Sequence, residues 1–253
     1  MTNPATRAFL ATCTLAVAGI AAPIPTLAQD LPDANTLIAD YVAAIGGAER
    51  YGGQSSVVRG TFSMPAMGME GSFVLVQRYP DQMRMDVSLP GVGEIQSGYT
   101  GEVGWSLNPM VGAQLMDGAE LEQMREQSSV AASLRDPAVV PGRETVERAE
   151  FGGEACWRVR LTWASGRESH DCYSVDTGLL VASESVQASP MGDVPSVTLF
   201  RDYREFDGRR MPTRMIQSAM GQEQVMVIET VDYGEVSDDQ VAPPQQIRAL
   251  IDG

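Results

Sequence analysis

The chain has 253 residues, of which 18 are basic and 33 acidic, so its formal net charge is −15. This excess of negative charge argues against binding to nucleic acids and against docking by charge on an anionic membrane, because both carry negative phosphates. Hydrophobic residues make up 43% of the chain and charged residues 20%, which is typical of a folded globular protein and excludes a disordered one.

The first 28 residues are typical of a secretory signal peptide. Arg7 provides a positive charge, residues 8–22 form an uncharged apolar run, and small residues precede a cleavage position near Ala28. The apolar run is shorter than the roughly 20 residues of a membrane-spanning helix, and an uncleaved N-terminal anchor is the alternative. We therefore expect an exported protein with one domain over residues 29–253.

Alternating hydrophobic and polar residues predict antiparallel strands through most of the chain. The patterns also predict a first helix after Asp33, an insertion helix with a capping box between Asp117 and Glu120, and a short terminal helix that packs Ile247, Leu250 and Ile251. About eleven or twelve strands are too many for a flat open sheet. We therefore predict a mainly β fold with helices, in which the sheet curls into a half-barrel or barrel.

Two cysteines, Cys156 and Cys172, remain after removal of the signal peptide. A hairpin that turns at residues 164–166 places Cys156 opposite Ser174 and Cys172 one diagonal step away, about 7–8 Å apart, on a polar outer face. An exported protein folds under oxidising conditions, so we favour a disulfide that serves stability. Free thiols or an intermolecular bond are the alternatives.

The sequence contains no recognisable catalytic centre. His170 is the only His, and Ser169 and Asp171 beside it point to the opposite sheet face, which argues against a Ser-His-Asp hydrolase. One His and two cysteines that a disulfide is expected to occupy are too few for a zinc site, and no phosphate-binding loop motif occurs. We therefore expect a binding protein without catalytic residues, metal or cofactor. A hydrolase that uses unrecognised carboxylates is a less favoured alternative.

Methionine is frequent in this chain, with 14 residues. Methionine side chains are flexible and polarizable, so a surface lined by them can repack around apolar guests such as acyl chains. The alternative is that they fill a closed core. The inner face of so large a curved sheet is too wide for its own side chains to fill, so either helices or a ligand must occupy it.

One segment carries a family resemblance. Residues 98–112 read Gly-Tyr-Thr-Gly-Glu-Val-Gly-Trp-Ser-Leu-Asn-Pro-Met-Val-Gly, and with residues 79–84, 118–121 and 173–180 they resemble the LolA-like outer-membrane lipoprotein-sorting family. The residues that match the motif are Gly101, Trp105, Asn108, Pro109 and Gly112.

The resemblance implies an unclosed antiparallel β-barrel whose helices cover a hydrophobic cavity that holds acyl chains in the periplasm. The partners it implies are lipid or lipoprotein acyl chains, and envelope membrane proteins. Trp105 and Leu107 would line or floor the cavity, and Leu121 and Met124 would form part of the lid. The complete set of expected cavity and lid residues is Phe62, Phe73, Leu75, Met83, Met85, Val87, Trp105, Leu107, Leu121, Met124, Trp157 and Trp163.

Two further points follow from the resemblance. An arginine restrains the lid in that family, and Arg59, Arg78 and Arg84 are the candidates in this sequence. Proteins of the same shape also include periplasmic sensors, so a non-carrier sensor or envelope-assembly module is the alternative to a carrier.

Overall fold

The computed structural model describes residues 31–188 and 192–252, and the expected signal peptide lies outside them. In the described residues, one antiparallel sheet of 13 strands is accompanied by five α-helices. The strand order is β6-β5-β4-β3-β2-β1-β13-β12-β11-β10-β9-β8-β7, and the edge strands β6 and β7 do not pair with each other. The sheet is therefore unclosed, as expected from the resemblance.

Hairpins connect most neighbouring strands, and the helices lie before, within and after the run of strands. The helices are α1 (Ala34–Ala44), α2 (Gly118–Ser128), α3 (Val130–Ser133), α4 (Asp238–Val241) and α5 (Gln245–Ile251). The strands are β1 (Ser55–Met64), β2 (Met69–Arg78), β3 (Gln82–Leu89), β4 (Gly93–Tyr99), β5 (Gly104–Asn108), β6 (Gly112–Leu115), β7 (Gly142–Phe151), β8 (Glu154–Thr162), β9 (Glu168–Ser174), β10 (Leu180–Gln187), β11 (Val194–Phe206), β12 (Arg209–Ala219) and β13 (Gln222–Gly234).

The predicted strands are confirmed, with one addition. Strand β6 has only four residues, Gly112–Leu115, and its sequence lacks the longer alternation by which the other strands are recognised. It forms because the turn after Asn108 folds it back onto β5, where Trp105 pairs with Leu115.

The predicted helices are confirmed, and two of their details are wrong. The Asp33 carboxylate caps α1 by accepting a hydrogen bond from the Thr36 backbone N–H (2.9 Å). The Asp117 side chain makes no capping hydrogen bond to α2, so the capping box expected with Glu120 does not form. In α5, Ile247 is fully buried, whereas Leu250 and Ile251 are 47% and 40% exposed and do not join the core.

Helix α2 shows how strongly the sheet curls. It contacts strands β3 to β5 through Leu121 and Met124, and its Gln123 side chain binds the end of β10. Strands β4 and β10 are seven positions apart in the sheet, which is about 34 Å across a flat sheet. An 11-residue helix is only about 16 Å long, so the sheet must bend towards α2.

Cross-strand pairing defines two faces of this curved sheet. Phe200 pairs with Met215, Met215 with Met226, and Met226 with Phe62, so these side chains point to one face. We call this the concave face, because it is the face towards α2. The convex face carries Val57 and Val76, which pack with Val236 and with Val241 of α4.

The half of the concave face formed by β7 to β10 is filled by the protein's own helices. Val159, Leu161 and Tyr173 of the sheet form a buried cluster with Ile38 of α1 and Ala132 of α3. In this half, helices occupy the space that a ligand could otherwise take.

The disulfide between Cys156 and Cys172 is present, as predicted, and Cys156 lies opposite Ser174 in the predicted register. The two Cα atoms are 5.4 Å apart, closer than the diagonal distance expected for a flat hairpin, because strand twist shortens one diagonal. Both cysteines are buried on the convex face against small and apolar side chains such as Ala182, rather than exposed on a polar face.

Candidate functional site

The other half of the concave face, formed mainly by β1 to β4, β12 and β13, carries a broad apolar surface. Its buried floor consists of Val58, Phe62, Phe73, Val87, Leu89 and Ile228. Packed on this floor are partly exposed side chains, which we call the methionine face: Met64, Leu75, Met85, Val92, Ile95, Phe206, Met211, Met215, Met226 and Val231. Five of these ten residues are methionines, so half of the accessible side chains are flexible and can change their packing around a guest.

Helix α2 covers one margin of the methionine face. Met124 forms a small buried cluster with Met83 and Tyr99, and Leu121 packs beside it. Leu75 belongs both to this cluster and to the methionine face, so the two apolar groups are continuous beneath the helix. An apolar guest on the methionine face would therefore contact the underside of α2.

The contacts of α2 with the opposite half of the sheet are polar. The Gln123 amide donates to the Val186 carbonyl (2.5 Å) and accepts from the Ala188 N–H (2.8 Å). Glu126 binds the Arg167 guanidinium (Nε–Oε2 2.9 Å). Gln123 and Glu126 are two of the four buried residues of α2, and water could satisfy the same polar groups. The Ser128 hydroxyl instead donates within the helix, to the Met124 carbonyl (2.8 Å).

A buried charged network fixes α3, in contrast to α2. The Arg135 guanidinium donates to Asp171 (2.7 Å), which also accepts from the Tyr173 hydroxyl (3.0 Å), and Asp171 is 1% exposed. Burial acts to lower the pKa of Arg135, but the Asp171 carboxylate and nearby tyrosines raise it above its ordinary value. Burial raises the pKa of Tyr173. The network therefore holds an ion pair and a neutral phenol under α3.

A cavity of about 200 Å³, lined by aromatic, polar and aliphatic side chains, lies between the end of α1, the junction of α2 and α3, and strands β1, β2, β12 and β13. Arg209 forms part of its wall; it is 5% exposed and donates to the Arg50 carbonyl (2.8 Å). Its guanidinium lies 4.0 Å from the Tyr233 ring centroid. Polar and aromatic side chains therefore line the cavity at this end of the concave face.

Most of the expected cavity residues lie together on the concave side. Phe62, Phe73 and Val87 belong to the buried floor, and Met85 belongs to the methionine face. Leu75 and Met83 lie beneath α2, and Leu121 and Met124 are on it. Whether these side chains contact a ligand stays a prediction.

Trp105 and Leu107 lie on the other face of the sheet, contrary to expectation. Trp105 pairs with Gly98 in the register, one residue away from Tyr99, so its side chain points away from α2. A Cβ atom at Gly98 would lie 2.6 Å from the Trp105 ring, because the indole lies directly on the glycine. Trp105 is fully buried, and α5 packs on β5 and β6 there. The prediction that these two residues floor the cavity is wrong.

Trp157 and Trp163 share the face of Val159 and Tyr173, in the half that α1 and α3 fill. Trp163 is buried, its indole N–H donates to Ser169 (2.8 Å), and Arg167 lies 4.4 Å from its ring centroid. Trp163 therefore packs with the protein's own side chains and does not extend the methionine face.

The remaining motif residues form turns. Gly101 and Gly112 have φ values of 99° and 85°, a backbone conformation that favours glycine. The Asn108 carboxamide accepts a hydrogen bond from the Met110 N–H (2.8 Å), next to Pro109. The motif thus specifies the hairpins around β5 and not a binding surface.

The three arginines expected to restrain the lid bind elsewhere. Arg59 pairs with Asp232, Arg78 with Asp238 at the start of α4, and Arg84 with Asp86 and the Ala242 carbonyl. The polar contacts found for them do not reach α2 or α3. Arg167 and Arg135 make those contacts instead, and their positions in a turn and after a short helix gave no signal in the sequence.

Sequence reasoning also missed Met211, Met215 and Met226, which widen the methionine face on β12 and β13. The alternation of Met211, Thr213 and Met215 could have identified the two methionines of β12, since it places both on one face.

Two further findings concern the residues that the structure describes. In residues 31–188 and 192–252, no helix combines the length and hydropathy needed to cross a membrane.

His170 lies on the convex face of the sheet. Its pKa is lowered mainly by burial and, to a smaller extent, by the positive charge of Arg158.

The sequence matches no protein-family model and no curated protein. Solved structures do match the fold. One is a LolA superfamily protein from Nitrosomonas europaea, with a TM-score of 0.53 and 12% identity, over 84% of this chain and 98% of that one. Another is an outer-membrane lipoprotein-sorting protein domain from Vibrio parahaemolyticus, with a TM-score of 0.51 and 9% identity, over 83% and 97% of the two chains. The chain therefore has the LolA-like fold that the motif around Trp105 predicted.

Proposed function

We propose that this protein is a periplasmic binder or carrier of the acyl chains of lipids or lipoproteins, which it holds on the methionine face beneath α2. The observation that carries this proposal is the partly exposed layer of Met64, Met85, Met211, Met215 and Met226 inside a curved sheet. Each methylene removed from water there contributes about 0.8 kcal/mol. The likeness to a lipoprotein-sorting domain supports the same class of cargo.

The contacts of α2 support a carrier that also releases its cargo. The helix is fastened to the far half of the sheet by Gln123 and Glu126, whose polar groups can exchange protein partners for water. Its apolar contacts, Leu121 and Met124, lie next to the methionine face. Cargo entry and exit would proceed by separation of α2 from the β8–β9 turn, while the Arg135 network keeps α3 in place.

The proposal includes no catalytic step. Polar groups of the concave side, such as Arg209 and Asp171, bind other protein groups. We expect lipid to leave the protein chemically unchanged, and envelope membrane proteins to be its donors or acceptors.

Binding of a fluorescent fatty acid to the delipidated protein tests this proposal. We expect saturable binding, and we expect Met85→Gln to weaken it by roughly tenfold, because a polar amide replaces an apolar contact on the methionine face. Leu107→Gln is the matched control, since Leu107 is a partly exposed strand residue on the convex face of the same half of the sheet.

Three results would contradict the proposal. The first is an absence of fatty-acid binding together with an absence of lipid in native mass spectra of protein purified from a periplasm. The second is an equal loss of binding in Met85→Gln and Leu107→Gln. The third is chemical conversion of the bound lipid. A specific protein partner bound by a protein that takes up no lipid would favour an interaction module instead.

A further inference from the structure

Four large apolar side chains on hairpin turns are strongly exposed. Met67 lies in the β1–β2 turn, Met110 and Val111 in the β5–β6 turn, and Met220 in the β12–β13 turn. Their exposed fractions are 57%, 86%, 65% and 77%. Turns of this kind are ordinarily built from Gly, Pro, Asn, Asp and Ser, so turn formation does not require these side chains.

The three turns lie at the same end of the sheet, and the β3–β4 turn with Val92 lies between two of them. The four hairpins are consecutive in the strand order, so neighbouring turns are spaced by about 10 Å. A Cβ atom at Gly93 would lie 3.2 Å from Pro109, which shows that the β3–β4 and β5–β6 turns touch. We call the row formed by Met67, Val92, Met110, Val111 and Met220 the turn ridge.

Charge distinguishes the turn ridge from the opposite end of the same strands. Residues 64–69, 88–93, 108–113 and 218–222 contain no charged side chain, although 20% of the chain is charged. Turns at the opposite end carry Asp81, Glu102 and Asp207. The charges nearest to the ridge along the chain are acidic, namely Glu70, Glu94 and Glu223. Such a surface fits a partner without net charge and is repelled by an anionic one.

The turn ridge is continuous with the methionine face. Met64 precedes the turn that carries Met67, and Met64 and Val92 themselves pack on the buried floor. At the other end of the concave face, the buried Arg209 guanidinium lies in the wall of a cavity. An acyl chain that arrives at the ridge could therefore reach the methionine face without crossing a charged group.

We propose that the turn ridge docks the protein on a lipid surface of zero net charge, with Met67, Met110, Val111 and Met220 buried among the headgroups. Apolar side chains presented on a row of turns bind the interface by removing their surface from water, without electrostatic attraction. This inference extends the proposed function by naming where the protein meets its lipid source, but docking can be measured without cargo.

Flotation with vesicles of pure phosphatidylcholine tests docking. We expect the wild-type chain without its signal peptide to float with the vesicles and to remain bound in about 0.5 M NaCl, where charge attraction is screened. The triple variant Met67→Gln, Met110→Gln, Met220→Gln should bind roughly tenfold more weakly. The matched control is Val175→Gln with Leu250→Gln, which replaces exposed apolar residues outside the ridge and should bind like the wild type.

A second measurement locates the contact. With an environment-sensitive dye on Met110→Cys, addition of vesicles should shift the emission to the blue, whereas Val175→Cys should show no shift. The proposal is overturned if the wild type does not float, if binding requires anionic lipid, or if the triple variant floats like the wild type. Analytical ultracentrifugation tests the other occupant of the ridge. The proposal is equally overturned if the wild type is a dimer and the only effect of the triple substitution is to make it a monomer.

The same variants separate docking from cargo binding. Uptake of a fluorescent fatty acid from solution should be unchanged in the triple variant, because the methionine face is intact. Loss of flotation with normal uptake supports docking by the ridge. Normal flotation without uptake in the wild type would refute the proposed cargo function and leave docking standing.

Discussion

Glu126 on α2 binds Arg167 in the turn between β8 and β9, with 2.9 Å between Oε2 and Nε, and so joins the two halves of the curved sheet. The same guanidinium lies 4.4 Å from the centroid of the buried Trp163 ring. The last turn of the covering helix is thus fastened to the half of the protein that is already filled. In the proposed carrier, this contact would break when the concave side opens.

We expect Gln123→Ala with Glu126→Ala to speed release of a bound fatty acid by roughly tenfold, because both links from α2 to the far half are lost. The free energy of unfolding should fall by only about 1–3 kcal/mol, the ordinary range for a few hydrogen bonds. Stopped-flow displacement and urea unfolding measure the two quantities. Glu122→Ala is the control, because Glu122 forms an exposed pair with Arg125 on the same helix. Unchanged release in the double variant would exclude α2 as the moving element.

Arg135→Met should destabilise the protein by about 3–5 kcal/mol, because it leaves the Asp171 carboxylate buried without its cation. The double variant Arg135→Met, Asp171→Leu should recover most of the loss. Thermal and chemical unfolding of the three proteins measure the effect. Equal instability of the single and the double variant would show that the charge pair is not the cause.

Trp105→Ala should cost about 3–5 kcal/mol of stability, because a fully buried indole leaves a cavity. Its Nε1–H is buried without a hydrogen-bond partner, so Trp105→Phe should cost less than the lost volume alone suggests. Fatty-acid uptake per folded molecule should be unchanged in both variants, since Trp105 faces away from the concave side. A loss of uptake without a loss of folded protein would instead show that Trp105 contributes to ligand binding.

Removal of the disulfide by Cys156→Ser with Cys172→Ser should lower the free energy of unfolding by about 3 kcal/mol, because the bridge closes a 16-residue separation. Both positions lie on the convex face, so ligand affinity should not change. Urea unfolding under oxidising and reducing conditions provides the measurement, and the wild type with reducing agent should behave like the variant. A loss of affinity at full folding would contradict a purely stabilising role.

Stability should decrease as the pH rises above about 10. Burial raises the pKa of five tyrosines, so they stay protonated in the folded protein while the unfolded chain loses their protons: Tyr41, Tyr51, Tyr173, Tyr203 and Tyr233. Their contribution is fully present below the unfolded pKa and is lost as pH rises through the folded values, at up to about 1.4 kcal/mol per pH unit for each tyrosine. Urea midpoints at pH 9 and 11, with phenolate absorbance of the folded protein, measure this. A flat profile would contradict it.

The sequence alone indicated every strand except β6, the first and insertion helices, a favoured disulfide and, through the motif resemblance, the LolA-like fold. Most of these features are encoded by residues close together in the chain. Alternation fixes which residues of one strand share a face, Asp33 caps its own helix, and two cysteines on one hairpin leave a single intramolecular pairing. The turn after Asn108 likewise depends on consecutive residues, namely Asn108, Pro109 and Gly112. Features encoded by neighbouring residues can be predicted without knowledge of the tertiary structure.

Only the tertiary structure decided which face of each strand became concave, and therefore which hydrophobic residues meet α2. Alternation sorts residues into two sets but does not say which set turns inward, so Trp105 and Met85 were equivalent in the sequence and lie on opposite sides of the sheet. The sequence also could not identify the arginine that binds α2, because Arg167 and Glu126 are 41 residues apart in the chain and meet only in the folded protein. Arg167 meets Glu126 only because a sheet of thirteen twisted strands bends far enough to bring its two halves within the length of one short helix.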